Sequence, residues 1–158
     1  MAYDSIAVGI HAISALLAHR PSAIERIYCA HSRRHDHRVA SVMAKARTLS
    51  VPCEWVDAKI IAKQLQGYDA HQGIFAVCRH QMQPLNSLWS PAIQDGSWLG
   101  LACDQVQDPH NLGALLRTGA CAGLDGVILP KHASAPLNAT VRKVASGAME
   151  YLAISVVT

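Results

Sequence analysis

Asp104-Gln105-Val106-Gln107-Asp108-Pro109-His110-Asn111-Leu112-Gly113-Ala114-Leu115-Leu116-Arg117-Thr118-Gly119 is the stretch that decides how this chain folds. A short apolar strand, Leu99 to Cys103, precedes it. Asp104 to Asn111 then reads as a polar loop, and Leu112 to Ala122 as a helix. Asp108 is suited to cap that helix, and Pro109 fits a first helical position, where no N–H is needed. Asn111 then lies beside the unpaired N–H groups of a helix start, a setting that favours anions, phosphate included. Arg117 follows Gly113 by four residues, so the two share a face. Gly113, lacking a side chain, leaves room there for a substrate backbone. Leu112, Leu115 and Leu116 form an apolar stripe that anchors the helix. Downstream, Gly126 to Leu129 reads as a strand, Asn138 to Ala145 as a helix and Ala153 to Val157 as a third strand. This βαβαβ order calls for a parallel sheet with right-handed crossovers. Ligands bind at the carboxyl ends of strands in such sheets. An ordinary capped helix with a solvated arginine has the same residues, so spacing alone leaves both readings open. GxGxxG and P-loop patterns are absent, which supports neither a dinucleotide nor a nucleoside-triphosphate site.

Upstream, strands and helices also alternate. Ile10, Ala12, Ile13, Leu16 and Leu17 fit one helical face, and Pro21 ends that helix region. Ile24 to Ala30 reads as a strand, and Val39, Val42, Met43, Ala46 and Leu49 mark a second helix. Pro52 to Val56 is a further strand, and Asp57 is placed to cap a helix running to Gly67. Ile74-Phe75-Ala76-Val77-Cys78 is a buried-strand pattern. A small α/β sandwich is expected. Between the halves, Pro84, Asn86, Ser87, Ser90, Pro91, Asp95 and Gly96 read as a linker. The expected division is residues 1–79, a linker at 80–96, and residues 97–158.

The 158 residues are 51% hydrophobic and 16% charged, against roughly 25% charged for an average soluble protein. Disorder and coiled coil are excluded. The longest apolar candidate, Ile6 to Ala18, is broken by Gly9, His11 and Ser14 and is too short to span a membrane. No Lys or Arg precedes it, so it is no signal peptide, and a cytoplasmic protein is expected. The five cysteines are widely spaced, without CxxC, and read as buried reduced thiols. The nine histidines have no ligand-like neighbours, so no metal is expected.

The net charge of +3 is unevenly shared. Residues 1–79 hold ten Lys/Arg and six Asp/Glu, while residues 80–158 hold four and five. His31-Ser-Arg33-Arg34-His35-Asp36-His37-Arg38 concentrates the positive charge. Such a cluster supplies phosphate attraction, although a solvated face has the same composition. With few aromatics in this half, shape and backbone contacts to a nucleic acid are expected more than base stacking.

Asp108-Pro109-His110-Asn111-Leu112-Gly113-Ala114 with Arg117-Thr118 resembles the first signature motif of the SpoU (TrmH) RNA ribose 2′-O-methyltransferases. The likeness continues through Ala122 to Lys131, Ser134 to Thr140 and Lys143 to Glu150. Gly9-Ile10-His11-Ala12-Ile13 and His71-Gln72-Gly73 resemble the members with an L30e-like RNA-binding domain in front, above all those acting on a guanosine of large-subunit (23S) rRNA.

The resemblance implies an α/β protein: an L30e-like sandwich followed by the first part of a trefoil-knotted, parallel-sheet methyltransferase domain. It implies methyl transfer from S-adenosylmethionine to a ribose 2′-OH, with Asn111 and Arg117 lining the active site. It places Arg33, Arg34, Arg38, His71, Gln72 and Lys131 against RNA, and implies a homodimer. The family's later donor-binding motifs have no counterpart up to Thr158, so the cofactor pocket is expected beyond that residue, in a chain truncated relative to the family. A non-catalytic RNA-binding module and a tRNA ribose methyltransferase are the alternatives.

Overall fold

The computed structural model describes residues 2–66, 71–88 and 98–158. The chain divides into two compact units, one spanning Tyr3–His80 and the other Gln81–Thr158.

The first unit is built on a four-stranded mixed sheet. Its strands are β1 (Ala2–Val8), β2 (Ile24–Ala30), β3 (Cys53–Val56) and β4 (Ile74–Gln81), in the order β1-β4-β2-β3. β3 runs parallel to β2 with Cys29 opposite Trp55, and β4 runs antiparallel to β2 with Tyr28 opposite Phe75. The helices are α1 (Ile10–His19), α2 (His37–Thr48) and α3 (Ala58–Gln64). Alternation sorts the side chains between faces. Ile27 and Cys29 of β2, with Ile74, Ala76 and Cys78 of β4, join Ile13, Leu16, Val39 and Met43 of α1 and α2 in one core. Tyr28 and Phe75 sit at the intervening positions, with ring centroids 4.8 Å apart. Both faces are used, which is why β4 reads as an unbroken apolar run.

The second unit is built on a three-stranded parallel sheet. β5 (Gly100–Ala102), β6 (Gly126–Pro130) and β7 (Ala153–Val157) lie side by side in chain order. Leu101 pairs with Val127, and Val127 with Ile154. The crossovers carry α4 (Pro109–Cys121) and α5 (Ala139–Val144). Leu112 and Leu116 of α4, Val141 of α5, and Val127, Leu129, Met149 and Ile154 form the core.

The structure differs from the sequence reading at several points. β1 was not expected; its tip is tied to β4 by Gly9 N–H donating to Ile74 O at 3.1 Å. α4 starts at Pro109, as the Asp108 cap reading requires and three residues before the helix run read from Leu112; Asp108 accepts from His110 N at 3.0 Å and opens the helix there. Asp57 does stand at the N-cap of α3, but through its backbone carbonyl, which accepts from Ile60 N, and not its side chain. Leu115 is 39% exposed. It lies about 100° around the helix from Leu116, enough to leave the buried stripe. Within the stretch read as a linker, Met82 packs on the second unit's core and Gln83 N donates to Ile154 O at 2.8 Å. Residues 89–97 of that stretch, and Gly67 at the expected end of α3, lie outside the described residues.

Candidate functional site

Five of the sequence-predicted residues converge on one end of the first unit's sheet. β2 leaves the sheet there into a turn (His31–Arg33) that carries Arg33, with Arg34 and Arg38 just beyond. Parallel β3 ends beside it, and antiparallel β4 begins there after His71 and Gln72. Ala30 N–H donates to Gly73 O at 2.8 Å, joining the two turns.

The local bonding explains why these residue types occur. Gln72 Oε1 accepts from Ile10 N at 3.0 Å and so caps α1, whose N-cap residue Gly9 has φ 91°. A β-carbon on Gly9 would stand 3.3 Å from that oxygen. Gln72 itself takes φ 53°, and its carbonyl accepts from Arg33 Nε at 3.0 Å. His71 Nδ1 accepts from Gly73 N at 3.0 Å, which places the proton of the neutral imidazole on Nε2. Gln72 was expected against RNA; its amide oxygen is also used by the fold.

The three arginines are not a simple solvated cluster. Arg33 Nη2 lies 3.2 Å and Arg38 Nη2 3.4 Å from Asp36 Oδ2. Asp36 also caps α2, accepting from Arg38 N at 2.9 Å. The hydrogen bond from the Arg38 side chain, first among several contributions, holds the Asp36 carboxyl below its usual range. Arg34 lies with Cζ 5.4 Å from the centroid of the Trp55 ring. The sequence reading did not single out Asp36 or Trp55. A lone acid inside a basic run, and a tryptophan in a short edge strand, were the available signals.

In the second unit the polar loops follow the carboxyl ends of β5 and β6. Asn111 is exposed in the first turn of α4, and Arg117 is exposed further along it. Six residues separate them, about 9 Å along the axis and about 120° around it. Lys131 is exposed at the end of β6, its N–H donating to Val157 O at 2.7 Å. The loops are tied by Ala135 N donating to Val106 O at 2.8 Å. Gly113 does not open a space beside Arg117. It is buried, and a β-carbon there would stand 2.7 Å from Val144 Cβ and 2.9 Å from Val141 O. Its absent side chain admits α5.

Sequence reasoning also missed a buried ion pair. Arg142 of α5 and Glu150 lie with Nε and Oε1 3.4 Å apart, both side chains 1% exposed. Among the described residues no three His, Cys, Asp or Glu side chains gather as a metal site. All five cysteines are free thiols, and burial pushes Cys29 up to about 11. No helix among the described residues is long and apolar enough to cross a membrane.

A family model described as the RNA 2′-O ribose methyltransferase substrate-binding domain matches residues 6–84, and the SpoU rRNA methylase family model matches 99–158. The chain belongs to the SpoU family of RNA methyltransferases. Among its SpoU relatives, the Pseudomonas aeruginosa 23S rRNA (guanosine-2′-O-)-methyltransferase RlmB is 40% identical over 157 residues, covering 95% of this chain and 60% of that protein. The Bordetella pertussis protein of the same name is 36% identical over 158 residues, covering all of this chain and 64% of its own. This SpoU chain thus spans about 60% of the length of the curated relatives it matches. Its fold is that of solved SpoU structures. AviRb from Streptomyces viridochromogenes, solved with the cofactor AdoMet, superposes with a TM-score of 0.78 at 17% identity, over 98% of this chain and 55% of that one. The rRNA methyltransferase from Sinorhizobium meliloti gives 0.72 at 22% identity, over 98% and 54%.

Proposed function

We propose that this chain serves S-adenosylmethionine-dependent 2′-O-methylation of a guanosine ribose in 23S rRNA. The observation that carries the reading is the likeness along nearly the whole chain to relatives named for that reaction. The proposed division is residues 1–79 for RNA, 80–96 as a linker and 97–158 for the opening part of the methyltransferase domain.

Arg33, Arg34, Arg38, His71, Gln72 and Lys131 are the proposed RNA contacts. Asn111 and Arg117 are proposed to face the reacting ribose. A guanidinium is a fork of N–H donors with no acceptor site, so Arg117 is assigned no role as a base. Arg117 holds a substrate phosphate and stabilises the alkoxide that develops as the 2′-OH passes its proton to solvent and takes the methyl group. S-adenosylmethionine, when bound, supplies the methyl group as an electrophile. The loops after β5 and β6, 103–108 and 131–138, contain no glycine at which backbone could close on a nucleoside. No residue of this chain is assigned to the donor. A cytoplasmic setting rests on the sequence reading, and a homodimer on the family resemblance alone.

The test is methyl transfer by the full-length protein from tritiated S-adenosylmethionine to 23S rRNA, with the modified ribose mapped by primer extension. Arg117→Lys keeps the charge and loses the bidentate fork. Transfer is expected to fall by about a hundredfold, the scale of one lost oxyanion donor. Near-native transfer by Arg117→Lys would sink the role given to Arg117. RNA binding without any transfer would leave a non-catalytic RNA-binding module.

A further inference from the structure

We propose that Arg34 and Trp55 form a stacking platform for an unpaired base of the RNA, an inference that rests on the reading of the first unit as an RNA binder. The two residues belong to the carboxyl ends of adjacent parallel strands. Arg34 follows β2 by way of the His31–Arg33 turn, and Trp55 lies next to last in β3. Arg34 Cζ stands 5.4 Å from the centre of the indole, inside the roughly 6 Å reach of a cation–π contact.

The neighbouring arginines show what sets this one apart. Arg33 and Arg38 share the Asp36 carboxylate, whereas Arg34 is laid on an aromatic ring. Trp55 is half-buried and packs against the core of the first unit, so its ring is held in place. Arg34 is exposed. A guanidinium held over a fixed ring leaves its other side to a base, which a planar group can stack on. Unpaired RNA bases stack on aromatic rings and on guanidinium planes. Because every base has a π-face, the platform accepts any of the four, and it selects single-stranded over paired nucleotides. Arg38 and His31, exposed nearby along the chain, are suited to the flanking phosphates. This adds a stacking contact to a unit expected to engage RNA by shape and backbone more than by stacking.

The experiment compares two labelled probes by fluorescence anisotropy with the full-length protein: an RNA hairpin with an unpaired loop, and a fully paired duplex of equal charge. Arg34→Lys keeps the positive charge and discards the plane. It is expected to weaken hairpin binding by about tenfold while leaving duplex binding and the salt dependence unchanged. Trp55→Phe, checked for folding by thermal melting, should weaken the hairpin in the same direction, and Arg34→Lys added to it should cost little more. Equal loss on both probes would make Arg34 a phosphate contact and overturn the platform. Native hairpin binding by Arg34→Lys would overturn it too, with RNA binding itself intact. If the unaltered protein binds neither probe, the reading of the unit as an RNA binder fails.

Discussion

Gly113 stands where α4 packs against α5. Alanine there gains roughly 1 kcal/mol of helix propensity, but its β-carbon would lie 2.9 Å from the Val141 carbonyl and 2.7 Å from Val144 Cβ. The carbonyl belongs to helical backbone and cannot step aside, so overpacking outweighs propensity. Gly113→Ala is expected to destabilise the second unit by a net of about 1–3 kcal/mol, measured by urea unfolding. Cys29 gives a pH-dependent counterpart in the first unit. Burial, partly offset by Arg33, raises its thiol from the ordinary 9.0 to about 11. The unfolded chain therefore loses this proton first. The stabilising contribution is complete below pH 9 and disappears as pH rises towards 11. Melting temperature should fall across that window, and Cys29→Ala should make the fall shallower. A residue remains because burial raises Cys53 and Cys103 as well. An identical pH profile for Cys29→Ala would contradict this assignment.

At the scale of elements, the pair Arg142–Glu150 joins α5 to the 3-10 turn Ala148–Glu150. With both side chains 1% exposed, removing one partner strands a charge in the core. Glu150→Leu alone should cost about 3–5 kcal/mol, and combining it with Arg142→Met should recover most of that loss. Chemical denaturation of the three variants completes the cycle, and additive losses would show that the two groups do not act as a pair. This pair also marks where sequence reading stops. Strands β2 and β7 were legible to the residue, because apolar runs and flanking turn residues are local signals. So were the caps at Asp108 and Pro109, since capping is decided within three residues. Arg142 was not legible as buried, because nothing in Ala139–Val144 announces a partner eight positions away. Leu115 was misplaced because it lies about 100° around the helix from Leu116, wider than the face that is buried. The cap that Gln72 gives α1 was not legible either, because that helix start lies 62 positions earlier. The convergence of Arg33, Arg34, Arg38, His71 and Gln72 was legible only as composition; strand order alone brings them to one end.

For the whole molecule, the question is how the charge of the first half reaches a polyanion. The ten Lys/Arg of residues 1–79 outnumber the acids by four, yet Arg33 and Arg38 are both drawn to Asp36. Both guanidinium groups keep a solvent-facing part, so water weakens the pairs, and a phosphate can compete for both. If the proposed RNA contacts hold, Asp36 occupies the place that a phosphate would take. Replacing it by asparagine separates its two duties. Asparagine caps a helix about as well as aspartate, so α2 should persist. The carboxylate charge disappears, and two arginines become available to the ligand. Asp36→Asn is expected to bind RNA more tightly at low salt and to lose affinity more steeply as salt rises. The slope of log K against log salt should grow by about 0.7–0.9 for each further phosphate that the freed arginines neutralise. Stability should change in the opposite sense with pH. The depressed Asp36 carboxyl contributes stability above its unfolded pKa, lost as pH falls through the lower folded value. Asp36→Asn should lack that acid-side step. Binding isotherms at four salt concentrations decide the matter. A native slope and affinity in Asp36→Asn would mean that Arg33 and Arg38 do not meet phosphate, and that the positive balance of this half serves the fold.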